Sequence, residues 1–199
     1  MFDQVLWFAT RGAGIVSLLM LTASVTFGLV TVTRFQAAGW PRFLNYELHR
    51  RISLLSVVFL VVHILAAVFD PFTKLGLVAA LVPLASSWKP VPVAFGVVSV
   101  YLFVALIATS LLRKRVGQRA WRLIHWTSYA MWPLALAHSF LSGSDAGSLW
   151  MLAIGALSLG AVAACLLWRI SVWDQSRGRL DDAVLTSSWE DATRRGKGR

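Results

Sequence analysis

Apolar residues in this 199-residue chain gather into long, almost unbroken blocks rather than recurring at a helical or strand period. Five blocks are long enough, or nearly so, to cross a bilayer: Val5–Thr33, Ile52–Phe69, Val91–Leu112, Leu123–Leu141 and Ser148–Trp168. A hydrocarbon core about 30 Å thick asks for about 17–25 residues per crossing, and backbone groups in lipid must be satisfied within the segment. Each block therefore predicts a transmembrane helix. A shorter apolar piece, Leu75–Ala85, contains Pro83 and reads as an interfacial or re-entrant element. The expected fold class is all-α, an integral membrane helical bundle of five transmembrane helices over residues 1–170. The tail over 171–199 is polar, mixed in charge and expected to be flexible.

The first block lacks a basic stretch ahead of it, is too long for a secretory signal, and is followed by no clear small-residue cleavage site. It is read as a spanning helix. The fourth block contains no glycine and ends in the turn-rich run from Ser142 to Gly147. Ala156, Gly160 and Ala164 repeat at four-residue spacing on the last helix, a pattern that ordinary close packing explains. Trp40, Trp88, Trp121, Trp150 and Trp168 fall near span ends, where amphipathic aromatics sit.

Composition agrees with a bilayer setting: 57% of residues are hydrophobic and only 14% charged, against about 25% charged in a soluble domain. The net charge of +10 changes the picture through its distribution. Arg34, Arg42, Arg50 and Arg51 follow the first helix, and Arg113, Lys114, Arg115, Arg119 and Arg122 follow the third. Seven more cations lie from Arg169 onward, among Asp174, Asp181, Asp182, Glu190 and Asp191. The opposite side holds only Arg11, Lys74 and Lys89, so sixteen of nineteen cations share one face. The positive-inside rule makes that face cytoplasmic, with the N-terminus out and the C-terminus in. The charge thus sets orientation and contact with anionic lipid rather than nucleic-acid binding, and the expected location is a bacterial inner (cell) membrane. The single cysteine, Cys165, forms no internal disulfide and reads as buried packing. Without a C-x-x-C-H run there is no covalent haem attachment.

All four histidines lie in or at the edge of two of these blocks, as His49 with His63 and His125 with His138. Spacings of 14 and 13 positions correspond to roughly 21 and 20 Å along a helix, which sets one imidazole near each membrane face. The second and fourth helices enter from the same side, so His49 can face His125 near the cytoplasm and His63 can face His138 near the outer surface. Two depth-matched imidazole pairs are the ligand set for two haem b groups stacked across a membrane, each iron bound axially by two imidazoles. The His49–His63 spacing returns to within about 40° of one helical face, whereas that of His125 and His138 misses by about 140°. Pro133 lies between the latter two and is the expected site of a correcting kink.

Histidines hydrogen-bonded between helices are the plainest alternative, but four intramembrane imidazoles in two matched pairs are costly without a function. A proton relay or transition-metal path would call for intramembrane carboxylates, and the predicted spans hold none. Haem propionates need cationic partners, for which Arg50, Arg51, Arg119 and Arg122 are candidates at the inner pair and Arg11 at the outer. Orientation of the chain, or snorkelling in the case of Arg11, would account for the same residues. Trp126, Tyr129 and Trp132 surround the ligand helix and are expected either against the macrocycles or in bundle packing.

The paired spacing, carried by LHRRISLLSVVFLVVHIL and QRAWRLIHWTSYAMWPLALAH, resembles the ferric reductase-like transmembrane domain, the haem core of ferric reductases and NADPH oxidases. The resemblance covers roughly residues 5–168 and implies a six-helix diheme bundle with inner and outer bis-histidine haems. Two features depart from it. Five spans are expected, one fewer than the family's six as if its first helix were missing, and flavin and nicotinamide domains after the bundle are not expected. In that respect the chain is similar to the haem-only membrane subunit of the bacterial methionine sulfoxide reductase system, which passes electrons to a periplasmic catalytic partner.

The expected function is therefore transmembrane electron transfer as an oxidoreductase component. A cytoplasmic flavoprotein or quinol is the expected donor, bringing in a partner-bound flavin or a quinone. The expected acceptor is a ferric chelate, oxygen or an extracytoplasmic redox partner. One alternative is a haem subunit of a larger quinol-linked or methionine-sulfoxide-reductase-type complex with no independent activity. Another, of a different class, is a haem-free structural or transport bundle. No G-x-G-x-x-G fingerprint is present, so direct use of a nicotinamide cofactor is not expected.

Overall fold

A computed structural model of the chain describes residues 2–33, 40–71, 73 and 75–197, with side chains from Gln4 to Trp173 except that of Arg42. Arg34, Lys74 and Arg199, counted above among the cations, lie outside the described residues. Helices α1 to α8 occupy Phe2–Val32, Arg42–Phe69, Gly76–Leu81, Pro90–Leu111, Arg113–Val116, Gln118–His125, Ser128–Ser142 and Leu149–Lys197. No strand occurs among the described residues.

Four of these helices are long and apolar enough to cross a membrane: Gln4–Val32, Phe43–Phe69, Pro90–Leu111 and Leu149–Trp173. They correspond to four of the five expected spans. The remaining one, Leu123–Leu141, is not a single helix but is divided between α6 and α7, with the break at Trp126 and Thr127. Helix α2 also begins ten residues earlier than the apolar block. Pro41, in extended conformation, precedes it, and Glu47 pairs with Arg51 at 2.6 Å and with Arg50 at 3.9 Å on its first turns. Such pairs at helical spacing stabilise a polar helical extension. His49 and His63 consequently share one continuous helix.

Packing is arranged around two antiparallel pairs, α1 with α2 and α4 with α7, while α8 rests against α1. The histidine-bearing helices α2 and α7 are not one of these closely packed pairs. In lipid, helices associate through close van der Waals fit and interhelical hydrogen bonds rather than through the hydrophobic effect. Here Leu18, Leu21, Phe103, Met131, Leu136 and Met151 form the buried centre. Polar links stitch it: Trp132 Nε1 donates to Thr22 Oγ1 at 3.0 Å, and Ser24 and Ser53 hydroxyls meet at 2.6 Å. Residues Leu54, Val58, Val61 and Leu65 of α2 remain exposed, as a lipid-facing stripe would be.

The ends are closed by ordinary helix chemistry. Pro90 starts α4, where the missing amide hydrogen costs nothing. Lys89, held in the left-handed region at φ 42°, sends its ammonium to the carbonyl of Leu141 at 2.9 Å, closing the C-terminal end of α7. Gly117, at φ 82°, separates the basic turn α5 from α6.

Candidate functional site

The two histidine pairs meet across the space between α2 and the α6–α7 segment. The rings of His63 and His138 have centroids 6.2 Å apart with planes at 78°. Those of His49 and His125 are also 6.2 Å apart, with planes at 76°. A metal bound by two imidazole nitrogens at about 2.0–2.1 Å each, with each nitrogen about 1.1 Å from its ring centre, separates the centroids by about 6.3 Å. Both gaps therefore suit one metal ion between two axial imidazoles. Among the described residues no three or more of His, Cys, Asp and Glu gather. Two imidazoles per site are too few for a structural zinc centre but fit the ligand set of a bis-imidazole haem.

The phase problem of the second pair is met in part by the break between α6 and α7. His125 is the last residue of α6 and His138 lies well into α7, which continues through Pro133. Around the break, Thr127 bonds back to Ile124, Tyr129 to Trp126 and Ala130 to Thr127, all three residues apart. Such winding advances about 120° per residue instead of 100°, which makes up part of the deficit.

Three imidazoles are anchored in one manner. His63 Nδ1 donates to the Thr10 carbonyl at 2.8 Å, His49 Nδ1 to that of Ser24 at 2.8 Å, and His138 Nδ1 to that of Pro92 at 2.9 Å. Four residues beyond each acceptor stands a glycine. A Cβ on Gly14 would come within 2.9 Å of His63 Nδ1, one on Gly96 within 2.7 Å of His138 Nδ1, and one on Gly28 within 3.4 Å of the His49 ring. The missing side chain lets the ring reach the carbonyl of the turn below. With Nδ1 carrying the donated proton, Nε2 is left as the nitrogen with a lone pair. A backbone acceptor at Nδ1 fixes the tautomer and strengthens a histidine as a ligand through Nε2.

Gly14 and Gly28 are themselves fourteen positions apart, the same spacing as His49 and His63 on the antiparallel neighbour. That repeat was the available sequence signal for these residues, and histidine spacing alone does not reveal it. His125 differs from the other three. Its Nδ1 is buried without a hydrogen-bond partner, and its ring stacks on Trp121 at 4.8 Å with 26° between planes.

The His63–His138 pair borders a cavity of about 360 Å³ lined by Trp7, Arg11, Gly14, Phe103 and Trp88 among others, with Asp70 and Asp145 also in its lining. Arg11 is ion-paired with Asp145 and lies over Trp7, its guanidinium carbon 4.0 Å from the ring centroid. The other arginines expected at the site are on the surface: Arg51 is bound to Glu47, and Arg119 and Arg122 are exposed. Of the aromatic candidates, Trp132 is buried in the core, Tyr129 bonds Arg169, and Trp126 is exposed. Asp70, buried at the C-terminal end of α2 just beyond its apolar block, is a carboxylate in the lining of the same cavity, a place the sequence did not reveal.

Residues 13–136 match the family model described as ferric reductase like transmembrane component. The match takes in His49, His63 and His125 and stops two residues before His138. No curated protein and no solved structure matches the chain.

Proposed function

The chain belongs to the ferric reductase-like transmembrane family, and from that premise we propose that it is a diheme b-type cytochrome moving electrons across a bacterial inner membrane. His49 and His125 hold the inner haem, and His63 and His138 the outer. The observation that carries this reading is the equal 6.2 Å separation of both imidazole pairs. The glycine-opened carbonyls behind three of the rings support it. A bis-imidazole haem, when bound, is low-spin with no open position and supplies one-electron transfer.

The chain's own residues position and insulate. The carbonyls of Thr10, Ser24 and Pro92 orient three ligands, and Leu18, Leu21, Phe103 and Leu136 belong to the apolar centre of the bundle. Arg11 is the cation at the outer cavity that can meet a propionate, in exchange for Asp145. Arg50, Arg51, Arg119 and Arg122 are exposed at the inner end, where they set orientation and are open to a propionate.

Helices α6 and α7 together complete a fifth crossing, with the N-terminus out and the tail over 171–199 in the cytoplasm. The basic segment from Arg113 to Arg122 is exposed and meets a cytoplasmic flavoprotein, or lies beside bound quinol, since charge steers such encounters. The acceptor is a ferric chelate or an extracytoplasmic redox protein at the outer end.

Purified protein should carry two haems by pyridine haemochrome. Its reduced α band should stay undeveloped with NADH or NADPH alone, and rise when a cytosolic flavin reductase or a reduced quinol is added. Absence of any b-type α band would overturn the reading in favour of a haem-free bundle, and prompt reduction by nicotinamide alone would reveal a donor site of its own.

A further inference from the structure

His125 is the one ligand in the set without a backbone acceptor, and the surrounding residues explain why. On α4 the position fourteen beyond Gly96 is Ser110, so the glycine repeat that serves α1 twice is broken at the inner end of α4. The Ser110 hydroxyl instead accepts from Trp121 Nε1 at 3.3 Å. Trp121 stacks on the His125 ring, and the Arg113 guanidinium lies over Trp121 at 4.0 Å from its centroid. Arg113 is held in turn by the side-chain oxygen of Gln118, at 3.0 and 2.7 Å. Gln118, Arg113, Trp121 and His125 thus form one connected stack, tied to α4 through Ser110.

We propose that Trp121 is the positioning residue for His125, fixing by ring stacking what a backbone carbonyl fixes for the other three imidazoles. The inference rests on the diheme reading. A hydrogen bond from Nδ1–H both orients a ligating imidazole and raises its basicity. Stacking on an indole orients the ring but accepts no proton, so His125 is the weakest donor of the four. With haem bound, its iron bond would be the first to loosen, and the inner centre alone would depend on the side chain at position 121.

The test uses the full chain, haem-loaded in detergent, with electron paramagnetic resonance of the ferric form and a potentiometric titration of the α band. Signals are assigned to the two sites with His63→Ala, which empties the outer pair. Trp121→Leu removes the stack, Trp121→Phe retains it without the indole N–H, and Ser110→Ala removes only the hydroxyl that holds the indole. Trp121→Leu is expected to convert much of the inner signal to high spin and to shift only the inner midpoint. Trp121→Phe is expected to restore the low-spin inner signal and, like Ser110→Ala, which breaks the same Trp121–Ser110 bond, to leave the inner midpoint only slightly shifted. If Trp121→Leu does not load haem, Ser110→Ala carries the test.

Inner signals unchanged in Trp121→Leu, or in Ser110→Ala where it stands alone, would overturn the proposal. So would equal changes at both sites, or a Phe variant that behaves like Leu. Wild-type protein holding fewer than two haems would overturn the functional reading and this inference together, whereas two haems with an unmoved inner signal would overturn this inference alone.

Discussion

Gly96 and His138 are fitted so closely that a single methyl group on the glycine would stand 2.7 Å from the imidazole Nδ1. The contact is with a ring that is already fixed by the Pro92 carbonyl at 2.9 Å. The ring therefore has nowhere to retreat without losing that bond.

Alanine substitutions at the three glycines should accordingly rank by clearance. Gly96→Ala and Gly14→Ala, at 2.7 and 2.9 Å, are expected to displace His138 and His63, while Gly28→Ala at 3.4 Å is expected to be mild. Overpacking of this kind costs about 1–3 kcal/mol. Haem-to-protein ratios should fall toward one in the first two variants and stay near two in the third. A Gly96→Ala protein with full haem content and unaltered spectra would contradict the assignment.

The planes of the paired imidazoles cross at 76° and 78°. Nearly perpendicular axial rings leave two iron d orbitals almost equal in energy. The ferric protein should therefore show strongly anisotropic low-spin resonances with a large maximum g value at both sites. Two ordinary rhombic triplets, the signature of parallel rings, would show that the rings turn when haem binds.

Thr22→Val should weaken the bundle without touching a ligand. It removes the oxygen that accepts from Trp132 Nε1 at 3.0 Å and leaves a buried N–H unsatisfied. Interhelical hydrogen bonds in membrane proteins are worth about 0.6–2 kcal/mol, so thermal unfolding in detergent should shift down modestly, with both haem signals retained. An unchanged midpoint would mean that Trp132 finds another acceptor.

Orientation is testable in intact cells. Ser144 lies in the loop whose neighbour Asp145 pairs with Arg11 at the outer cavity. Ser144→Cys should react with an impermeant thiol reagent from outside, and a reporter fused after Arg199 should behave as cytoplasmic. Labelling only after the membrane is opened would reverse the topology and with it the direction of electron flow.

Much of this arrangement is legible in the chain itself. Spans follow from the thickness of hydrocarbon and the need to satisfy every backbone group, so four of five blocks coincide with long helices to within a few residues at most ends. The early start of α2 was hidden because hydropathy is silent about a polar stretch that is helical through its own ion pairs. The division of the fourth block at Trp126 and Thr127 was hidden for a related reason: hydropathy reports the apolar content of a segment and not its winding.

The depth of each imidazole is a one-dimensional property, set by position number and the fixed rise of a helix, and His49, His63, His125 and His138 could be matched in pairs from sequence alone. What stands behind each ring is a property of two helices at once. Gly14 and Gly28 become partners of His63 and His49 only through the antiparallel register of α1 against α2, and Gly96 and Ser110 acquire opposite roles only through that of α4 against α6 and α7. Arg11 likewise finds Asp145 across some 130 positions of chain. The long apolar segments and the spacing of the imidazoles along them are written in the sequence, because both follow from local geometry and solvation. Which carbonyl, glycine or indole each histidine meets is set by the fold, because interhelical register depends on the packing of the whole bundle.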